Sequence, residues 1–326
     1  MKLPHRRQFL HLAAGGAALP AVSRVARAQA YPTRPVRILF GYAAGGAGDI
    51  VARLISQWLS ERFGQQFVIE NRPGAAGIIA TEAVVRAAPD GYTLLFFTST
   101  EVIRATLYDK LNFNFIRDIA PVAGINRQAL AMLVHPSFPA KTVPEFIAHA
   151  KANPGKLNMA SAGNGSTNHV AGELFKMMTG VNMVHVPYRG GAPALTDLLG
   201  GQMHVYFGPM SGSIEYIKAG KLGALAVTTA MRSEALPDIS TVAEFVPGYE
   251  ASTWYGVAAP KNTPAEILHK LNKEITAGLA DPKMKARLGD LGGTVLPGSS
   301  ADFGKLIADE TEKWAKVVRA ANIKPE

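Results

Sequence analysis

The 326-residue sequence contains no cysteine. Disulfide scaffolds, thiolate zinc sites, cysteine nucleophiles and an acylated-cysteine lipid anchor are therefore excluded. It also lacks any run of about 18 apolar residues, the length a spanning helix requires. Charged residues make up only 18% of the chain and aromatics 8%. Against these shortages stands a hydrophobic content of 48%. That is enough to bury a sizeable core, in one long domain or two medium ones.

Acidic residues are missing from the first thirty positions. Lys2, Arg6, Arg7, Arg24 and Arg27 give this short segment five of the nine excess positive charges. The remainder is only mildly basic, and no nucleic-acid partner is expected. A basic start, a small-residue apolar stretch from Phe9 to Val22 and Ala28-Gln29-Ala30 follow one another in the order of a secretory signal. Residues 1–30 are thus expected to be a signal peptide cleaved after Ala30, leaving a periplasmic protein that begins at Tyr31. Arg6-Arg7 before Gln8-Phe9-Leu10 resembles a twin-arginine export signal, with His5 and His11 departing from the usual residues.

From Val36 onward, short β-rich runs alternate with helical spacing, which predicts an α/β fold. Two βα series occur without a proline-rich linker between them. They predict two lobes, residues 31–125 plus 252–326 and residues 126–251, with a ligand cleft at the carboxyl ends of the strands.

Two glycine-rich loops each join a strand to a helix. The first runs from Gly41 through Tyr42, Ala43, Ala44, Gly45, Gly46, Ala47 and Gly48 to Asp49. Glycines let amide groups converge on a ligand, and the helix start adds partial positive charge. The loop lacks the Lys-Ser/Thr ending of a P-loop, and Val51 stands where a dinucleotide fingerprint needs its third glycine. No nucleotide or other cofactor is expected. The second loop, Ser161 to Thr167, repeats the design and adds the hydroxyls of Ser166 and Thr167, with His169 one turn into the helix. Facing amide nests can hold a carboxylate without a basic side chain. Each helix start contributes roughly 0.3–1 kcal/mol, up to about 2 when partly buried, and each charged hydrogen bond about 1.5–3 kcal/mol.

The Gly-x-Ser-x-Gly elbow, the His-Glu-x-x-His zinc pattern and the Ser-x-x-Lys pattern are absent. The histidines are scattered without metal-ligand spacing. Neither catalytic residues nor a metal site are therefore assigned. Asp49, at a helix start, is read first as a partner for backbone amides. His185, between Val184 and Val186, is read as a core or cleft-edge residue.

The chain resembles the tripartite tricarboxylate transporter substrate-binding proteins, or Bug proteins, over essentially its whole mature length. The residues that carry the resemblance are Gly45 to Asp49, Glu70-Asn71-Arg72-Pro73-Gly74-Ala75, Asp90-Gly91-Tyr92-Thr93-Leu94, Gly163-Asn164-Gly165-Ser166 with His169, Pro187 to Pro193, and Trp254-Tyr255-Gly256. The resemblance implies a type II, two-lobed periplasmic binding protein that closes like a flytrap. It implies ligand contacts from Tyr42, Ala43, Gly45, Gly46, Ala47 and Asp49 in the first loop. The second loop would supply Asn164, Gly165, Ser166 and Thr167, with His169 nearby. Thr98, Ser99 and Thr100 would make distal contacts, and Tyr188, Phe207 and Gly208 would line the second lobe. The implied ligand is a small carboxylate: a di- or tricarboxylate, an acidic amino acid or an aromatic acid. The implied partners are membrane permease subunits, met by a monomer.

Gly41-Tyr42-Ala43-Ala44 departs from the family's usual proline and richer glycine. Tyr42 either narrows the entrance and stacks on an aromatic acid or packs against the adjoining loop. Arg189 either meets a second carboxylate or lies on a solvated edge. An exported enzyme acting on a carboxylic acid and a ligand-sensing adaptor for a signalling receptor are the competing functional readings.

Overall fold

Val36–Phe40 (β1) is a β-rich pentapeptide in which only Arg37 is exposed. Residues 31–74, 77–107, 111–320 and 322–324 are described in this computed structural model. The expected signal peptide, its arginine pair and its cleavage site lie outside them. After β1 comes α1 (Ala47–Phe63), which turns Val51, Ile55 and Leu59 inward and ends at Gly64 in the left-handed region. The next elements are β2 (Phe67–Asn71), α2 (Ile78–Val85) and β3 (Thr93–Thr98), the last buried along its whole length. Its end passes directly into α3 (Ser99–Leu107), followed by α4 (Phe115–Asp118).

The apolar run Ala129–Val134 is the second part of a 16-residue strand, β4 (Ile119–Val134). Pro121 and Gly124 are residues that disfavour a regular ladder, yet the register shifts at them and the strand continues. Proline and glycine at bulges interrupt a ladder without ending it.

The second series contains α5 (Val143–Ala152), capped by the Thr142 side chain, then β5 (Leu157–Ser161), α6 (Thr167–Thr179) and β6 (Met183–Pro187). It continues through α7 (Gly191–Leu199), β7 (Val205–Pro209), α8 (Met210–Lys218) and β8 (Gly223–Val227). The chain then returns through β9 (Ser252–Pro260) to α9 (Ala265–Ala280), α10 (Pro282–Asp290), β10 (Gly293–Val295) and α11 (Ser300–Ala320). Among the described residues, no helix is long and apolar enough to cross a membrane.

One sheet runs through both series, in the order β2-β1-β3-β9-β4-β7-β5-β6, with β8 and β10 also paired to β4. β4 changes partner along its length: Ile119 to Ala129 pair with β9, and Leu130 to Leu133 with β7. On each side of β4 the same winding occurs. β1 lies between its parallel neighbours β2 and β3, and β5 between β6 and β7. The order therefore reverses beside β1 and again beside β5. The crevice at the carboxyl end of such a reversal is where open α/β sheets receive ligands.

The core beneath β3 and β9 is aromatic. Phe97, Trp254 and Phe303 meet with ring centroids 5.6–5.7 Å apart. Phe303 on α11 fits only because position 256 has no side chain: a Cβ there would lie 2.0 Å from its ring. Overpacking of this kind costs about 1–3 kcal/mol. Gly256→Ala is accordingly expected to lower the urea-unfolding free energy by that amount, and the companion change Phe303→Leu to recover part of the loss.

Candidate functional site

The loops leaving β1 and β5 open onto a shared cleft. Its wall carries Phe40 and Thr98 from the ends of β1 and β3, Ala162 from just beyond β5, and Pro209 from the end of β7. The cleft holds about 670 Å³ of atom-free space, part of it open to solvent. Among the described residues, no Asp, Glu, Lys, Arg or His lines it.

What lines it instead is helix starts. Gly46, Ala47 and Gly48 begin α1; Gly191 and Ala192 begin α7; Gly212 and Ser213 lie in the first turn of α8. None of these three helices has a side chain capping its N-terminus. The first amides of a helix have no intrahelical acceptor, and aligned peptide dipoles place partial positive charge there. Three such ends on one cleft make it attractive to an anion although its side chains are neutral.

Glycine lets these ends approach each other. A Cβ on Gly212 would lie 3.2 Å from the Ala47 Cβ and 3.4 Å from the Ala47 nitrogen. One on Gly190 would lie 3.3 Å from the Ala43 nitrogen. The first loop therefore sits directly against the second series.

Asp49 holds that loop from behind. Its carboxylate accepts the Gly45 amide at 3.0 Å, Arg53 Nε and Nη2 at 2.8 and 3.1 Å, and Asn71 Nδ2 at 2.9 Å. Asn71 also donates to the Tyr42 carbonyl. Asp49 is almost fully buried and is not among the lining residues. Burial alone would raise its pKa, but the Arg53, Gly45 and Asn71 hydrogen bonds outweigh burial and hold it below the ordinary value.

Of the other expected contacts in the first series, Tyr42, Ala43, Gly45, Gly46, Ala47, Thr98 and Thr100 line the cleft. The Tyr42 side chain is buried, with its ring 5.2 Å from that of Phe40. Ser99 sits behind the wall, where its hydroxyl meets those of Thr167 at 2.8 Å and Thr253 at 3.3 Å.

The second loop is placed differently. Thr167 lines the cleft, whereas Asn164, Gly165, Ser166 and His169 do not. Ser166 is occupied as the cap of α6, accepting the His169 amide. His169 supports the loop from beneath: its Nδ1 accepts the Gly165 amide at 3.1 Å, and its ring stacks on His185 with centroids 3.7 Å apart. His185 in turn lies 2.6 Å from the Ser161 hydroxyl. Burial, and then neighbouring His169, bring the His185 pKa down to about 3. Its ring resonances are therefore expected to stay fixed between pH 5 and 8 in an NMR titration.

Tyr188 points to Asp197, with its hydroxyl 2.7 Å from the carboxylate, and does not line the cleft. Burial, then that hydrogen bond, push it up to about 12. Phe207 is core, although its carbonyl holds Asn168 Nδ2 at 2.7 Å. Gly208 leaves room for the Tyr206 ring.

Cleft residues that sequence reasoning passed over include Tyr206, Tyr255, Thr253, Asn168 and the α7 and α8 starts. One signal was available. Gly190-Gly191-Ala192 follows a strand and opens a helix, the same design as the first loop. Among the described residues, no group of three or more His, Asp or Glu side chains is placed to hold a metal ion.

Comparison with known proteins gives this geometry its context. The family described as "Tripartite tricarboxylate transporter family receptor" matches residues 51–323. Protein BugT of Bordetella pertussis is 33% identical over 318 residues, covering 97% of this chain and 96% of its own. R. palustris Rpa4515, solved with adipate, is 37% identical with a TM-score of 0.88, over 91% of this chain and 100% of that one. The periplasmic binding protein BugD is 33% identical with a TM-score of 0.87, over the same shares. The fold is that of the two-lobed periplasmic solute-binding proteins. The chain belongs to the tripartite tricarboxylate transporter receptor family.

Proposed function

We propose that this protein is a non-enzymatic periplasmic receptor that captures a small organic acid and presents it to the membrane permease of a tripartite tricarboxylate transporter. The observation that carries the reading is the meeting of three uncapped helix starts, α1, α7 and α8, on a cleft that no charged side chain lines among the described residues. Hydrogen bonds to a charged group contribute about 1.5–3 kcal/mol each, and several are needed to offset desolvation of a carboxylate. Adipate in R. palustris Rpa4515 supports the ligand class. The lobes are residues 31–125 plus 252–326 and residues 126–251, hinged near the point where β4 changes partner. Residues 1–30 direct export.

The carboxylate is assigned to the amides of Ala47, Gly48, Gly191 and Ala192. Tyr42, Thr98, Thr100 and Thr167 border the rest of the molecule, while Asp49 and His169 hold the loops. Thermal-shift and calorimetric screening of succinate, citrate, glutamate, adipate, hexanoate and benzoate tests the reading. At least one acid is expected to raise the midpoint, with one ligand per chain and no product by mass spectrometry. Absence of stabilisation by every acid would overturn it.

A further inference from the structure

Two side chains on the wall of the cleft have given their protons to backbone carbonyls. Asn168, in the first turn of α6, is 5% exposed and lines the cleft. Its Nδ2 donates to the Phe207 carbonyl at 2.7 Å. A carbonyl can only accept, so this contact fixes which end of the amide is nitrogen and which is oxygen. No described residue donates to Oδ1. Nor is Oδ1 among the unpartnered side-chain atoms sealed away from solvent. It is an open acceptor on a residue that borders the cleft.

Ser213 on α8 is 1% exposed and lines the cleft as well. Its hydroxyl donates to the Pro209 carbonyl at 2.9 Å. With that proton committed, only lone pairs remain for a ligand. The other hydroxyls of the floor make no such demand. Those of Ser99, Thr100, Thr167 and Thr253 meet one another at 2.8–3.3 Å, and each can turn to donate or to accept.

An acceptor in a largely buried wall calls for a donor, because leaving it unpaired once a ligand has displaced water costs roughly 1–3 kcal/mol. A carboxylate has no proton to give. The donor therefore comes from another group on the same ligand, a hydroxyl or an ammonium. An ammonium brings a charge into the cleft, and among the described residues no Asp or Glu lines it to pair with that charge. A hydroxyl is satisfied by the acceptor alone.

We propose that Asn168, assisted by Ser213, is a specificity-determining residue, and that the cleft selects a hydroxycarboxylate whose hydroxyl donates to Asn168 Oδ1. This inference rests on the carboxylate-receptor reading and narrows it.

Calorimetry on the purified chain tests it with three matched sets: succinate, malate and aspartate; butanoate and 3-hydroxybutanoate; and the best-binding acid of the wider screen beside its hydroxylated analogue. The hydroxy acid of at least one set is expected to bind about fivefold or more tightly than its parent, the scale of one hydrogen bond to an otherwise unpaired acceptor. In Asn168→Leu that ratio is expected to fall to about one, through weaker binding of the hydroxy acid alone. The side-chain amide resonances of Asn168 in the unmodified protein give a readout that needs no variant: they are expected to shift with the hydroxy acid and not with its parent. Parent acids that bind as tightly as their hydroxy analogues in every set would overturn the selectivity while leaving the receptor reading intact. Aspartate binding more tightly than malate would assign the acceptor to an ammonium and overturn the hydroxyl. A ratio unchanged in folded Asn168→Leu, or amide resonances that respond equally to parent and hydroxy acid, would overturn the role of Asn168. Failure of every acid in these sets and in the wider screen would overturn both readings.

Discussion

Gly212→Leu is expected to fold normally and to lose ligand binding. Gly212 lies in the first turn of α8, where its α-carbon faces the start of α1 across the cleft. An added Cβ would already stand 3.2 Å from the Ala47 Cβ, tighter than ordinary van der Waals contact, and 3.4–3.5 Å from its backbone nitrogen and α-carbon. The three further carbons of leucine have no room unless the two helix starts separate. Within α8 itself the substitution is favourable, because glycine in a helix costs roughly 0.5–1 kcal/mol relative to alanine. The local helix term and the cross-cleft term therefore have opposite signs. Folding should be unharmed, with a thermal midpoint of the ligand-free protein at or slightly above that of the parent.

Binding should suffer, because displacing the α1 start would carry the Ala47 and Gly48 amides away from those of Gly191 and Ala192. Losing even two charge-assisted hydrogen bonds at about 1.5–3 kcal/mol each reduces affinity by at least about a hundredfold. The measurement is the shift in midpoint produced by the best-stabilising acid of the screen. At a ligand concentration that stabilises the parent by about 2.7 kcal/mol, a hundred times its dissociation constant, the variant should gain less than about 0.5 kcal/mol. A variant that keeps the full shift would mean that α8 makes no part of the closed site. Gly212→Ala should fall between the two, since a few tenths of an ångström of adjustment accommodate its single carbon.

The elements of the fold were legible where burial leaves a periodic mark. The helices at Ala265–Ala280 and Pro282–Asp290 carry their proline starts in the sequence, and Ser300–Ala320 spaces Phe303, Ile307, Trp314 and Val318 along one buried face. The fully buried strand Thr93–Thr98 shows as an unbroken apolar run from Leu94 to Phe97. The long strand β4 was less legible, because Pro121 and Gly124 look like breaks and are bulges. α3 was hidden for a different reason: Thr98-Ser99-Thr100-Glu101 is a helix start, but its hydroxyl-rich residues also suit the end of a strand.

The site divides along the same line. The first loop could be located because glycine and a following aspartate are needed to build its turn, and both are written in the sequence. The α8 start could not. Met210-Ser211-Gly212 carries no distinctive side chain, and its part in the cleft comes from where β7 delivers it. Backbone amides recruited by topology leave no residue-level signature. The second loop shows the converse. Its glycines, Ser166 and His169 form a recognisable pattern, yet Ser166 and His169 spend their polar groups on one another's backbone neighbourhood rather than on the cleft.

Asp49→Asn should destabilise the fold and weaken binding together, and its effect should disappear in acid. The carboxylate ties Gly45, Arg53 and Asn71 into one cluster, and Asn71 extends the cluster to the Tyr42 carbonyl. An asparagine in its place can still accept the Gly45 amide. Its amide group would then face Arg53 or Asn71 as a second donor, leaving no acceptor between them. Arg53 is about half exposed and can turn to water, so the cost is smaller than for a fully buried pair. A loss of about 2 kcal/mol at pH 7 is expected from the unsatisfied charged hydrogen bonds.

The pH dependence follows from the depressed pKa of Asp49 in the folded chain. Its stabilising contribution is complete above the unfolded value, about 3.9. It is lost as the pH falls through the lower folded value, because the unfolded chain takes up the proton first. Urea unfolding of the parent and of Asp49→Asn should therefore differ by about 2 kcal/mol at pH 7, with the gap narrowing steadily below about pH 4. A gap that is constant with pH would assign the loss to shape rather than to the carboxylate charge. Ligand affinity at pH 7 should fall about tenfold at the same time, since the first loop must then be ordered at the expense of binding energy. Unchanged affinity in a destabilised variant would separate the Asp49 cluster from the site it stands behind.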